Sequence, residues 1–531
     1  MFLSIVLVLA CLAIVFGASP VLQVDTTLGP VLGHVNAGVR VWKGIQYAKA
    51  PQGDLRWEYP QSPAKSSTVY VANFDAPGCP QDCKLPPGNC PSFGTSEDCL
   101  YLTVTAPAEP SPDQSGYPVL FWIHGGAFEQ GLGNSPLYNA TTFAEKGVVS
   151  VVINYRLGAL GYMAASGMSG NYGLMDQKLA LQWTKDNVKG FGGNPDRVTL
   201  AGQSAGAMSV GSHLISPGSK GLFHRAILES NPFGMPFHTT ESAGKNADAA
   251  FEYLKCNKGD LACMKSKTPA EILDAQAHSV KMDRKTLFIN FLPFAPLVDG
   301  VVLPKQPFEA LGAGELANMP IMAGSMYDEG MLFVDELFTS SMSEFKYHST
   351  IDAIFGMHKA KAIKETYPMV EGSKDGRDAF NVLATDLIFY CPLRNITRGM
   401  TNVLGAASVP TYNYRFSHVL SFDCWGPSYS FCQGKVCHGS ELPFVFNVFS
   451  DGTTSYNPTA DEKQLAQDLS SAWVNFISSA NPNKGLAVSQ TFPLYDPQTR
   501  PLVILNEPTY SDAQDPRAEY CAMWDSMGYF Y

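Results

Sequence analysis

The chain has 531 residues, of which 45% are hydrophobic, 11% aromatic and only 16% charged, with a formal net charge of −11 and a pI near 5.4. The acidic balance speaks against nucleic acid as a partner, because phosphate binding needs a basic footprint. Low charge without long linkers or internal repeats suits one large buried core, rather than the three or four units that length alone suggests.

Residues 1–17 are almost entirely apolar and read as a secretory signal peptide, with small residues placing cleavage after Gly17 or Ser19. Its front lacks lysine or arginine, and an uncleaved anchor is the other reading. No later apolar run approaches membrane-spanning length, so residues 18–531 are expected as a single domain with no integral membrane segment, secreted or held in the lumen of a secretory-pathway vesicle. Eleven cysteines follow the leader: Cys79, Cys83, Cys90, Cys99, Cys256, Cys263, Cys391, Cys424, Cys432, Cys437 and Cys521. No spacing among them suits zinc, so disulfides with one leftover thiol are expected, and neither metal nor cofactor is implied. Sequons at Asn139 and Asn395 would carry glycan in such a compartment.

In chain order, residues 29–35 read as a hairpin, and 41–48 precede a Pro/Gly turn at 51–53. The 79–99 stretch is a Pro- and Gly-rich loop, and residues 107–116 form a surface loop. The continuous apolar runs 118–123 and 148–155 read as strands buried on both faces. Residues 137–146 and 171–189 read as helices, the second stopping at the Gly-rich 190–195. Residues 198–200 and 225–230 are further strands. Helices within 239–283 are expected to pass over the active-site edge. Strands at 319–324 and 411–416, a long helix at 462–479 and a last strand at 502–505 complete the pattern. Alternating buried strands and helices predict an α/β fold on a large, mostly parallel sheet flanked by helices.

Within that pattern, Gly202-Gln203-Ser204-Ala205-Gly206 sits where a strand turns into a small-residue helix, the context a nucleophile elbow needs. A nucleophilic serine requires a base, a carboxylate orienting that base, and N–H donors for the oxyanion. His124-Gly125-Gly126-Ala127-Phe128 follows a buried strand, and Gly126, Ala127 and Ala205 are the candidate donors. Glu329 in Tyr327-Asp328-Glu329-Gly330 is the candidate acid and His438 in Cys437-His438-Gly439 the candidate base. His213 and His224 read as packing or surface residues, and His418 is the nearest rival base.

These motifs, together with Glu97-Asp98-Cys99-Leu100-Tyr101-Leu102, Asn154-Tyr155-Arg156, Gly173-Leu174-Met175-Asp176-Gln177 and Phe191-Gly192-Gly193-Asn194-Pro195, resemble the type-B carboxylesterase/cholinesterase family of the α/β-hydrolase fold across nearly the whole mature length. The resemblance implies a serine esterase acting on a small-molecule ester without a cofactor. Its triad would be Ser204, Glu329 and His438. It also implies ion pairs Arg56 with Glu97 and Arg156 with Asp176, supporting roles for Ser230 and Asp386, and disulfides Cys79–Cys99, Cys256–Cys263 and Cys391–Cys521. Cys83 and Cys90 are additional and suit a bridge inside the first loop; Cys432–Cys437, with Cys424 free, is favoured for the rest.

Three departures bear on substrate. Gln203 stands where many members carry glutamate, Ala127 replaces a glycine, and the 79–99 loop has no tryptophan. A choline site would need such a ring, so acetylcholine is disfavoured. A lipase and a non-catalytic adhesion or storage protein of the same group are the alternatives.

Overall fold

A computed structural model describes residues 22–281, 287–404, 409–506 and 512–529. The expected signal peptide lies outside them. Eleven strands form the central sheet: β1 (His34–Asn36), β2 (Val39–Gln46), β3 (Tyr101–Ala106), β4 (Tyr117–Ile123), β5 (Val149–Ile153), β6 (Gly193–Gln203), β7 (Arg225–Glu229), β8 (Ile321–Met326), β9 (Thr411–Phe416), β10 (Pro501–Leu505) and β11 (Asp512–Gln514). Their order across the sheet is β11-β10-β9-β8-β7-β6-β4-β5-β3-β2-β1. Every pairing from β10 to β5 is parallel, and both margins are antiparallel. The parallel centre coincides with the continuous apolar runs, whose side chains are buried on both faces: β5 and β8 are buried at every position.

The hairpin expected at residues 29–35 is displaced. Its turn falls at Thr27 and Leu28, between antiparallel Gln23–Thr26 and Gly29–Leu32, while β1 opens a second hairpin with β2. Gly29 starts a strand because it passes tightly over another backbone: a Cβ there would stand 2.3 Å from the Ser66 carbonyl oxygen. The helix expected at 137–146 divides into a 3₁₀ turn, Pro136–Tyr138, and a short helix, Thr141–Glu145.

One large core packs against each face of the sheet. Helices α1 (Tyr172–Asn187) and α2 (Ala205–Ile215) carry the first. The second is built around α3 (Ala460–Ser479), which a Thr459/Glu462 capping box starts and whose Trp473 is fully buried. Between β7 and β8 the chain leaves the sheet through helices Thr240–Tyr253, Leu261–Ser266 and Pro269–Ser279, and Phe291 of this excursion reaches the cavity described below. Disulfides join Cys79–Cys99, Cys83–Cys90, Cys256–Cys263, Cys391–Cys521 and Cys432–Cys437, and Cys424 is free. Among the described residues no helix is long and apolar enough to cross a membrane, and no cluster of side chains could hold a metal ion.

Candidate active site

The C-terminal ends of the parallel strands converge on Ser204. β6 delivers it, and the backbone turns there through φ 58° and ψ −123°, a conformation that a non-glycine residue holds only when its surroundings enforce it. The Ser204 N–H donates to the Glu229 carbonyl at the end of β7, and the Ser204 carbonyl accepts from Met208 N–H inside α2. The two glycines of the elbow are required by crowding. A Cβ on Gly206 would lie 2.1 Å from the Ile123 carbonyl oxygen, and one on Gly202 would lie 2.6 Å from the Gly206 carbonyl carbon.

The β4 strand ends in the His124–Phe128 loop, where Gly126 (φ 112°), Ala127 (φ 58°) and Phe128 (φ 60°) all take positive φ. That turn brings Gly126 and Ala127 to the same cavity as Ser204. Ala205 is the first residue of α2, so its N–H is one of the donors that a helix leaves free at its start. His124 is buried behind the loop, and burial lowers its pKa to about 4, which leaves the ring neutral.

Glu329 opens helix α4 (Glu329–Leu337) and is completely buried. Its Oε1 accepts from Met326 N–H at 2.8 Å, and its Oε2 meets His438 Nδ1 in a very short contact. The two turns are also tied through the backbone, since Asp328 N–H donates to the Val436 carbonyl and Val436 N–H to the Asp328 carboxylate. His438 is 8% exposed, with the rings of Phe333 and Phe389 at 5.2 and 5.1 Å. On the far side of the ring, Nε2 faces Gln203 Nε2 at 3.2 Å.

Ser204, His438, Gly126 and Ala127 open into one cavity of about 400 Å³. Its walls include Trp425, Tyr429, Tyr138 and Phe333, three acids (Glu129, Glu336 and Asp451) and Cys424, with no lysine or arginine among the described lining residues. Burial raises Glu129 to about 7 against the pull of Lys84, and it raises Glu336 against the nearby Tyr429 hydroxyl and the charge of Lys84. Burial likewise pushes the Cys424 thiol up to about 12.

The other named residues fall into place around this centre. Arg56 and Glu97 form a bidentate pair at 2.6 and 2.5 Å, and Arg156 holds Asp176 at 2.8 and 2.7 Å. Ser230 is buried at the end of β7 with its hydroxyl unpartnered. The Asp386 carboxylate is taken by Arg517 and Tyr367, so it ties the C-terminal helix rather than the triad. His213 is engaged by Ser219 and Gln177, and His418 by Glu462. Asn139 is exposed, whereas Asn395 is half-buried in helix Cys391–Leu404 with Thr397 buried beside it.

Sequence reasoning missed Glu229 and Glu441, two buried acids close to the triad. Glu441 lies three residues after His438, and Glu229 breaks the apolar run 226–228, which was the available signal. Trp473 Nε1 donates to Glu229 Oε1 at 2.7 Å, but Glu229 Oε2 and both Glu441 oxygens have no hydrogen-bond partner. Burial lifts Glu229 to about 8, and burial with the Glu229 and Glu329 charges lifts Glu441 well above the carboxylate range.

Comparison with known proteins gives a consistent result. Residues 20–524 match the model described as "Carboxylesterase family". The chain is 36% identical over 506 residues to the "Crystal protein" of Dictyostelium discoideum, covering 94% of this chain and 90% of that protein. It is 34% identical over 508 residues to the para-nitrobenzyl esterase of Bacillus subtilis (strain 168), covering 93% and 97%. A solved structure of PNB esterase superposes with a TM-score of 0.78 at 33% identity, covering 94% of this chain and 99% of that one.

Proposed function

The chain belongs to the carboxylesterase family, with the α/β-hydrolase fold, and on that premise we propose that it hydrolyses carboxylic esters through an acyl-enzyme on Ser204. The observation that carries this reading is the buried Glu329–His438 contact opening onto the same cavity as the strained Ser204. Glu329 keeps the ring proton on Nδ1 and stabilises the imidazolium as it forms. Nε2 takes the Ser204 proton as Oγ attacks the ester carbonyl, and the oxyanion is met by the Gly126, Ala127 and Ala205 N–H groups. The protonated ring then gives its proton to the departing alcohol. Water repeats the sequence on the acyl-enzyme and releases the acid.

The cavity wall sorts substrates. Asp451, with the partly neutralised Glu129 and Glu336 and no lysine or arginine among the described lining residues, disfavours anionic esters. An esterase is favoured over a lipase because the 79–99 loop is braced rather than free. The Cys83–Cys90 bridge closes it, Lys84 N–H donates to Gln130 Oε1, and Tyr429 OH donates to the Lys84 carbonyl. Five disulfides suit folding in an oxidising compartment and support secretion, with exposed Asn139 as the glycan acceptor.

The test is labelling by an organophosphate with peptide mapping. A single phosphoryl adduct on Ser204 is expected, with loss of ester hydrolysis in step. A folded Ser204→Ala protein that keeps full activity, or a wild-type protein that neither labels nor hydrolyses, overturns the reading.

A further inference from the structure

Gln203 is 5% exposed, and its carboxamide is set directly against the base, Nε2 to Nε2 at 3.2 Å. With Nδ1 of His438 committed to Glu329, the ring presents a lone pair at Nε2, and only a donor can sit there comfortably. The Gln203 N–H is that donor. Among the described residues Ser204 Oγ makes no hydrogen bond, so the nitrogen that must accept the serine proton is held at rest by the neighbouring glutamine. Space for this arrangement is built into one glycine. A Cβ on Gly125 would lie 2.8 Å from both the Gln203 carbonyl oxygen and Gln203 Oε1. Gly125, unlike its neighbour Gly126, does not have a positive φ, so crowding by Gln203 and Ser204 is the reason that no side chain fits there.

We propose that Gln203 is a positioning residue for the base: its amide N–H donates to the neutral His438 ring, fixes the ring plane, and lowers the pH at which the base becomes available. A hydrogen bond made only to the neutral form opposes protonation. Glutamate at the same position would do the reverse, since its carboxylate can only accept and so favours the protonated ring. The proposal rests on the Ser204–His438–Glu329 reading above. It adds that the departure at position 203 changes the working pH of the site as well as its charge.

The measurement is the pH profile of kcat/KM on a neutral p-nitrophenyl ester for the wild type, Gln203→Met and Gln203→Glu. Methionine keeps the length and burial of the side chain but can neither donate nor attract a proton. The surrounding titratable groups are the same in all three proteins: Glu329 and Glu336 on α4 act on the ring, and Glu441, Glu229 and the Tyr138 and Tyr414 hydroxyls form the buried cluster around Glu329 and Glu229. The acid limb is expected at the lowest pH in the wild type, higher in Gln203→Met, and about one pH unit above wild type in Gln203→Glu, a tenfold change in proton binding. A purely structural role would lower the plateau of all variants without moving the limb. Coincident limbs, or a methionine limb below that of wild type, overturn the proposal. If the glutamate variant does not fold, the methionine comparison decides alone. Organophosphate labelling of Ser204 in each protein separates the two claims: coincident limbs with Ser204 labelled sink only the role of Gln203, whereas an unlabelled, inactive wild type sinks the triad itself.

Discussion

Two groups of buried acids in this molecule are neutralised in opposite ways. Asp176 meets Arg156, Asp386 meets Arg517, and Asp515 meets Arg394, each acid almost wholly removed from water. Around the triad, Glu329 has only the His438 ring opposite it, and Glu229 and Glu441 have no cation at all among the described residues. The first group clamps segments far apart in sequence, and its charge is spent inside the pair. In the second group burial raises Glu229 and Glu441, and only Glu329 meets an ionisable ring, that of His438, the base under the proposed function. Asp176, Asp386 and Asp515 are thus met by arginine, whereas Glu229 and Glu441, near the proposed triad, are not.

That contrast can be broken by substitutions that remove charge and keep shape. The largest effect is expected from Glu329→Gln, with kcat falling by about 10⁴-fold while the thermal midpoint moves little, as for an orienting carboxylate changed to its amide elsewhere. Stopped-time ester assays with circular dichroism melts check this, and a variant that loses stability but keeps kcat would place Glu329 with the scaffold. Next in size, Asp176→Asn strands the Arg156 guanidinium in the core and should cost roughly 3–5 kcal/mol in urea unfolding. Glu441→Gln replaces a group already held neutral and removes the cost of taking up its proton on folding, so it should lose no stability near neutral pH. Equal losses in the two variants would erase the distinction between paired and unpaired acids.

Much of the frame was legible because it depends on patterns that local physics enforces. Continuous apolar runs gave the parallel centre, and crowding around Gly202 and Gly206 gave the elbow its signature. The antiparallel margins were less legible, since a strand on one hairpin and the start of the next look alike in residues 29–36. Contacts between distant residues left no trace in the sequence. Gln203 and His438 are 235 positions apart, and Glu229 meets Trp473 across 244. The acidic wall of the cavity is assembled from Glu129, Glu336 and Asp451, three segments that only the folded sheet brings together.

The last prediction is read as a slope against pH, and it tests the unpaired acids most directly. An ordinary glutamate releases its proton near 4.5, but burial holds Glu229 at about 8. Between those values the native protein keeps a proton that the unfolded chain has lost, so folding takes up a proton and stability must fall as pH rises. The slope is at most about 1.4 kcal/mol per pH unit for one group and vanishes above the native value. Glu441, raised in the same direction by burial and by its acidic neighbours, adds to the fall. Glu462 acts in the other direction and in another range. Although burial raises it, hydrogen bonds from His418, Ser421 and Thr459 hold it at about 2, so its contribution is lost only as pH drops below the normal glutamate value. Melting curves from about pH 5 to 8 should therefore give a midpoint that falls less, or rises more, in Glu229→Gln than in the wild type, and more so again when Glu441→Gln is added, the remaining slope belonging to Glu129, held at about 7, and to buried His124 and His213. Parallel curves in the wild type and the double variant would mean that the two acids carry their charges into the core, and that something other than a bound proton neutralises them.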